Sequence, residues 1–303
     1  MLLASLLLLI AAAVLHAIAN ALMKHARDKL AFVWWMLGAY CILGLPLILP
    51  LSHVQWQGWV FVVVSGLLEA VYFLTLTRAY SHGDLSVVYP IARGSAPLFI
   101  MLWAYLFLTE RPTAVGLAGI LIIVTGLYLI NLSTWSDWKR PLLGFKSPAV
   151  RWAFVTGLLI SAYSAVDKKG VTYVPPFLYL YLLLLVCWIA ITPQWFSGER
   201  RAAILQEIGL QKVAGGEIEE SGWRFRSRVA YVVAAALFGT TAYMLVLAAM
   251  RHTPVSYVGP VREVSVVFGA WIGVRFMGEK SGSFRLIASC LVALGIILIA
   301  LKG

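Results

Sequence analysis

The stretch Val88-Tyr89-Pro90-Ile91-Ala92-Arg93-Gly94-Ser95 returns later in the chain as Val258-Gly259-Pro260-Val261-Arg262-Glu263-Val264-Ser265. Each copy is followed by an apolar run and then by a short charged turn, Thr109-Glu110-Arg111 in one case and Gly278-Glu279-Lys280 in the other. Upstream, Ala70-Val71-Tyr72-Phe73-Leu74 aligns with Thr241-Ala242-Tyr243-Met244-Leu245, and Ala17 to Lys24 aligns with Ala162 to Lys169. Landmarks repeated in the same order mark a tandem repeat, which constrains the fold more than any single motif.

The solvent of this repeat is a bilayer. Hydrophobic residues make up 61% of the 303 and charged residues only 12%, with a mean hydropathy of +0.88, a balance outside the range of water-soluble domains. The net charge of +11 does not point to nucleic acid, because nearly all Lys and Arg lie in short connections between apolar runs, where they act as topology signals. Cys41, Cys187 and Cys290 each lie inside an apolar run, so neither a disulfide framework nor a metal site is expected. The Leu-rich beginning lacks a basic n-region, and its polar residues recur in a later span, so it is read as a span rather than a cleaved leader.

A hydrocarbon core about 30 Å thick asks for about 20 apolar residues per helix. On that basis spans are predicted near residues 2–23, 32–51, 58–79, 85–108, 114–131, 150–170, 176–195, 228–250, 255–277 and 284–301. The expected fold class is therefore all-α, a polytopic membrane protein of ten transmembrane helices in two five-helix repeats, residues 1–135 and 150–303, joined by 136–149. Five is odd, so the second repeat enters the membrane in the opposite sense and the repeats are inverted. The polar segment 197–227, with Arg200, Arg201, Glu207, Lys212 and the Glu217–Glu220 cluster, is expected to hold a short amphipathic helix. Trp34, Trp35, Trp56, Trp59, Trp135, Trp138, Trp152, Trp195 and Trp223 fall near span ends, as an interfacial belt requires. Of the 24 Lys and Arg, 17 lie in connections after odd-numbered spans and 5 on the other face, which predicts both termini outside.

An ionisable side chain at mid-bilayer costs roughly 2.5–3.5 kcal/mol on insertion scales and calls for a partner or a wet cavity. Glu69, Arg93, Arg262 and Glu263 are the residues that meet this description. In span 4, Ser86, Tyr89, Arg93 and Pro97 share a helix face, with Gly94 read as a point of close backbone approach. A guanidinium there suits a carboxylate, phosphate or phosphonate. The bland alternative is a permanent pair between Arg93 and Glu69 or Glu263 that locks helices together. The tight Gly83-Asp84 connection predicts antiparallel packing of spans 3 and 4, bringing Glu69 toward Arg93.

Glu69 is also the candidate proton-coupling group, sharing a face with Ser65 and Tyr72. Ser256, Gly259, Pro260, Arg262 and Glu263 repeat the arrangement in span 9. His16, Asn20 and Lys24 form a polar stripe in span 1; Tyr72, Tyr89 and Tyr243 are candidate pocket walls. Lys24 and Asp167-Lys168-Lys169 are read as anchors or gate residues near membrane faces. Pro90, Pro97 and Pro260 interrupt helix ladders and are hinge candidates.

The tandem halves resemble the EamA-type transporters of the drug/metabolite transporter superfamily over essentially the whole chain. The residues that carry the resemblance are Leu15-His16-Ala17-Ile18-Ala19-Asn20-Ala21-Leu22-Met23-Lys24, the segment from Tyr80 through Arg93 to Pro97, and Gly116 to Gly126. Within the superfamily, Tyr89-Pro90-Ile91-Ala92-Arg93-Gly94 is most similar to a subgroup associated with phosphonate utilisation. The resemblance implies both termini in the cytoplasm, against the charge count, and does not select a substrate.

The expected function is secondary transport of a small polar metabolite, anionic or zwitterionic, by alternating access, in a bacterial inner membrane. Substrate-binding candidates are Arg93, Tyr89, Glu69, Tyr72, Arg262, Glu263, Tyr243, His16 and Asn20. Partners are the small molecule, the lipid bilayer and, as a coupling ion, the proton; no nucleic acid, cofactor or metal is expected, and a monomer suffices. A lipid head-group flippase and a non-transporting sensor or assembly partner that docks through 197–227 are the alternatives. No Walker loop, zincin, nucleophile-elbow or haem motif is present, so neither ATP coupling nor enzymatic activity is expected.

Overall fold

The computed structural model describes residues 3–24, 26–48, 54–82, 85–129, 147–210, 221–268, 271 and 283–302. Its helices are α1 (Leu3–Lys24), α2 (Lys29–Ile48), α3 (Trp56–His82), α4 (Leu85–Leu108), α5 (Ala114–Leu129), α6 (Pro148–Gly170), α7 (Pro176–Ile191), α8 (Gly198–Glu207), α9 (Ser221–His252), α10 (Val255–Arg262) and α11 (Ser283–Lys302). Among the described residues, seven helices are long and apolar enough to cross a membrane, and two shorter apolar helices accompany them. The remainder of predicted span 9, after residue 268, lies outside the described residues except Trp271, as do the Glu217–Glu220 cluster and most of the 132–149 connection.

α3 shows why these helices belong in lipid. Its exposed stripe is Val60, Val63, Val64, Leu67, Val71 and Leu74, while Ser65, Gly66, Glu69 and Thr75 are buried. A helix in water would turn the other way round. Small and polar residues meet inside because lipid gives no hydrophobic drive between helices, so close packing and hydrogen bonds hold the bundle.

Matching helices of the two repeats are α1 and α6, α2 and α7, α3 and α9, α4 and α10, α5 and α11; α8 has no counterpart. Exchanging the repeats maps the α1–α9 contact onto α6–α3, α3–α7 onto α9–α2, and α4–α6 onto α10–α1, while α5–α11, α2–α7 and α4–α10 map onto themselves. The halves are thus interleaved. In the α5–α11 seam, a Cβ added at Gly119 would sit 2.8 Å from the carbonyl oxygen of Gly295, and one added at Gly295 would sit 2.6 Å from that of Gly119. Two backbones touch there, so neither glycine tolerates a side chain. Gly119→Val and Gly295→Val are each expected to lower stability by about 1–3 kcal/mol, read as an earlier thermal unfolding transition of the detergent-solubilised protein.

Two expectations are corrected. α3 and α4, although adjacent in sequence, barely touch, because α6 packs against both; Glu69 and Arg93 line one cavity but do not pair, Arg93 pairing with Glu263 instead. Trp34 and Trp35 are not a lipid belt. Trp34 stacks on Trp195 and meets Trp35 edge-on, and the two indoles donate to Thr192 Oγ1 and to the Ile204 carbonyl. Trp56 and Trp59 are exposed, as an interfacial position allows.

The expected helix in the 197–227 segment is α8, and it is fastened down. Glu207 at its end accepts the backbone N–H groups of Arg27 and Asp28 at 3.0 and 2.8 Å, and Arg228 lies 3.6 Å from its carboxylate. Arg200 grips Asp28 with two hydrogen bonds, 2.7 and 3.0 Å. These groups titrate in opposite senses. Burial raises the Glu207 carboxyl despite the N–H donors that pull it down; burial would raise Asp28 too, but the Arg200 hydrogen bonds and the Ala31 N–H outweigh it and leave Asp28 lowered.

The sign follows by linkage: ionised Glu207 weakens the folded strap at neutral pH and that penalty vanishes on acidification. The Asp28 contribution is complete above the ordinary Asp value of about 3.9 and fades as pH falls below it. Amide protection of α8, corrected for intrinsic exchange, is expected to rise slightly on mild acidification and then to fall below about pH 3.9.

Candidate functional site

Buried ionisable groups converge on one central cavity of about 140 Å³, enough for several waters or one small solute. His16, Asn20, Glu69, Tyr72, Arg93, Tyr163, Tyr243 and Arg262 line it, with apolar walls that include Met23, Met36, Leu37 and Val246. Seven of these eight polar positions are candidates from the sequence; Tyr163 is new. Tyr89 and Pro90 have side chains outside the described residues, as does Lys24.

α4 carries Arg93 eight residues from its start, about 12 Å along the helix at 1.5 Å per residue. The guanidinium donates from Nη1 to both carboxylate oxygens of Glu263, at 3.2 and 3.3 Å, and from Nη2 to His16 Nε2 at 2.9 Å. A guanidinium has no acceptor, so the Nε2 lone pair must receive this bond and the proton of the neutral ring sits on Nδ1. Pro90 and Pro260 align, so Arg93 and Glu263 are the same position in the two repeats. They meet where the repeats meet.

α10 carries Arg262. Glu110, in the turn after α4, accepts the Val255 and Ser256 N–H groups at 2.9 and 3.0 Å and the Ser256 hydroxyl at 2.8 Å, fixing the helix where its free donors and dipole favour an anion. Ser256 is thus spent on the cap, not on the cavity. Gly259 packs against Ile100, where a Cβ would lie 2.6 Å from its Cδ1. α10 ends at Arg262, and i→i−3 bonds from the Glu263 and Val264 N–H groups carry the chain through a turn before helix resumes at Ser265. Pro260, whose missing N–H weakens the ladder, precedes this break; α4 runs unbroken past Pro90 and Pro97.

The break leaves Arg262 buried beside the cavity with an unusual account of donors. Its Nε lies 3.6 Å from Glu263 Oε1, beyond hydrogen-bond range, and neither Nε nor Nη2 has an acceptor among the described residues. Its guanidinium carbon lies 6.0 Å from the Tyr243 ring centre. Tyr163 stands edge-on to both Tyr72 and Tyr243, at 5.8 and 6.2 Å, so three phenol rings wall one side. Glu69 is almost fully buried, lines the same cavity, and has no ion pair or hydrogen bond among the described residues.

Sequence reasoning took Asp167 for an anchor or gate residue near a membrane face. It lies near the end of α6, but its side chain is fully buried in the bundle. Ser65 and Tyr179 donate to its Oδ1 at 2.5 and 2.8 Å, and Tyr243 donates to Oδ2. Lys168, next to it, is an anchor of another kind, donating to the Met250 and Thr253 carbonyls at the end of α9. The sequence signal for Asp167 was the run Gly157, Ser161, Ser164 and Asp167, small or polar residues at helical spacing, all buried in α6. Gly94 is also corrected: a Cβ there would meet nothing within 4 Å, and the close approach to α4 is made by Gly157, whose Cβ would press on Ser95 and the Ala92 carbonyl.

The profile of the EamA-like transporter family matches residues 3–132 and again 147–301. The chain belongs to the EamA-like transporter family. Its two matches are the two repeats, and an EamA-like chain so rich in apolar helices is an integral membrane protein. A solved crystal structure, described only as that of a protein, is 17% identical, covers 99% of each chain and superimposes with a TM-score of 0.68, which establishes shared architecture for this EamA-like chain. No curated protein sequence matches it.

Proposed function

We propose that this EamA-like protein is a secondary carrier for a small zwitterion: an acid group is bound by Arg262 with help from Arg93, and an ammonium by Glu69 and the tyrosine wall. Arg262 carries the reading. Buried donors without acceptors are costly, and an oxyanion in the cavity supplies what they lack. Charge supports the second half. Arg93 and Glu263 offset one another, Asp167 is held by three hydroxyls, and Arg262 and Glu69 remain as one cation and one anion on the same cavity. An ammonium against Glu69 also has Tyr72, Tyr163 and Tyr243 around it, rings of a type that attracts cations.

Transport proceeds, in this reading, by alternating access between two five-helix repeats inserted in opposite senses in a bacterial inner membrane. The reciprocal helix contacts and the odd number of predicted spans per repeat support it. The Tyr89–Gly94 resemblance adds phosphonates to the acids worth testing. Proteoliposomes are to be offered labelled glycine, aminomethylphosphonate, acetate and ethylamine. Uptake of one or both zwitterions, little of acetate or ethylamine, and loss in Arg262→Ala is the expected result; flux that Arg93→Ala and Arg262→Ala leave undiminished removes the acid site.

A further inference from the structure

We propose that Asp167 is the group that takes up a coupling proton, and that it reports its state to the cavity by reversing its hydrogen bond with Tyr243. The proposal rests on the carrier reading for its consequence, but not for the titration itself.

The geometry is that of a junction. Asp167 on α6 is met by Ser65 from α3, Tyr179 from α7 and Tyr243 from α9. No cation pairs with it among the described residues. Three hydroxyls would bond equally well to an amide, without the expense of burying a charge, so an ionisable group here is a functional signal. The charged groups that reach it are Glu69 from α3 and Arg262 from α10; Arg93 on α4 is engaged by Glu263 and His16. Asp167 itself does not line the cavity, whereas Tyr243 does.

Three donors on one carboxylate define the ionised state. When a hydronium ion gives up its proton, leaving water, the new O–H forms on one carboxyl oxygen. Oδ1 already accepts from both Ser65 and Tyr179 and becomes the carbonyl oxygen. Oδ2 takes the proton and donates it toward the Tyr243 oxygen. Tyr179 has a second acceptor in the Phe61 carbonyl at 3.3 Å; Tyr243 has none among the described residues, so its own O–H must turn away from Asp167. The phenol that was fastened to α6 then offers a donor to the cavity. Asp167 is in this sense a positioning residue acting through Tyr243.

The test has two arms. Infrared difference spectra of the purified protein between about pH 4 and pH 9 are expected to show a protonated carboxyl band on acidification, coupled to a tyrosine band. Asp167→Asn abolishes both, and Tyr243→Phe abolishes the tyrosine part while the carboxyl band stays. Spectra without a band that Asp167→Asn removes overturn the proposal. In proteoliposomes offered labelled glycine or aminomethylphosphonate from outside, wild type is expected to accumulate the probe under an inward proton gradient. Asp167→Asn loses this gradient-driven accumulation, and Asp167→Glu restores part of it. Gradient-driven uptake that is equal in wild type and Asp167→Asn overturns coupling through this residue. A carboxyl band in its place with neither probe moved by wild type counts against the carrier reading and leaves the titration at Asp167 standing.

Discussion

Glu263→Ala is expected to destabilise the protein by about 3–5 kcal/mol, because it strands the Arg93 guanidinium in the interior without its counter-charge. The pair is buried on both sides, at 11% and 1% side-chain exposure, and Arg262 draws on the same carboxylate at 3.6 Å. Loss of Glu263 therefore exposes two cations to one another as well as to a low dielectric. The double variant Arg93→Met with Glu263→Met removes the charge on both sides and is expected to recover most of the stability. Exchange of the charges, Arg93→Glu with Glu263→Arg, is expected to recover part of it, since the two positions are equivalent between repeats; His16 stands on only one side. Thermal unfolding in detergent reads all three, and a Glu263→Ala transition at the wild-type temperature refutes the pairing.

Arg262→Ala has the opposite signature. Truncation removes two buried donors that lack acceptors, so stability without ligand is expected to hold or rise. Binding is where the loss falls. Charge-assisted hydrogen bonds contribute about 1.5–3 kcal/mol each, so affinity for the bound zwitterion is expected to drop at least about a hundredfold. Titration calorimetry with glycine and aminomethylphosphonate measures the loss, and thermal unfolding without probe measures the gain. Arg262→Lys keeps the charge but not the fork of donors, and is expected to fall between the two. A variant that is destabilised while binding the probes unchanged makes Arg262 a packing residue.

The repeat, the apolar runs and the ionisable residues Glu69, Arg93, Arg262 and Glu263 were legible in the sequence, because each rests on hydropathy or on self-similarity. Partners were less so. Arg93 was readable as a charge in need of company, yet its pairing with Glu263 rather than Glu69 depends on α6 lying between α3 and α4, and chain proximity points the wrong way there. The equivalence of Arg93 and Glu263 in the repeat alignment was the better guide. Asp167 was missed because two lysines follow it and charges in a row resemble a membrane face. In the fold the three diverge around the helix: Asp167 turns into the bundle, Lys168 reaches α9's terminal carbonyls and Lys169 is exposed. The break after Arg262 had a cue in Pro260, but Pro90 and Pro97 offer the same cue in a helix that stays whole.

The meeting of Arg93 with Glu263 also bears on ancestry. Two identical copies of one repeat, joined through the same reciprocal contacts, would set one residue against its own copy at this spot, arginine against arginine or glutamate against glutamate, and either choice repels. Attraction there demands that the copies differ. Joining them in one polypeptide guarantees that every molecule receives one of each, and lets divergence turn a point of self-repulsion into the bolt of the bundle.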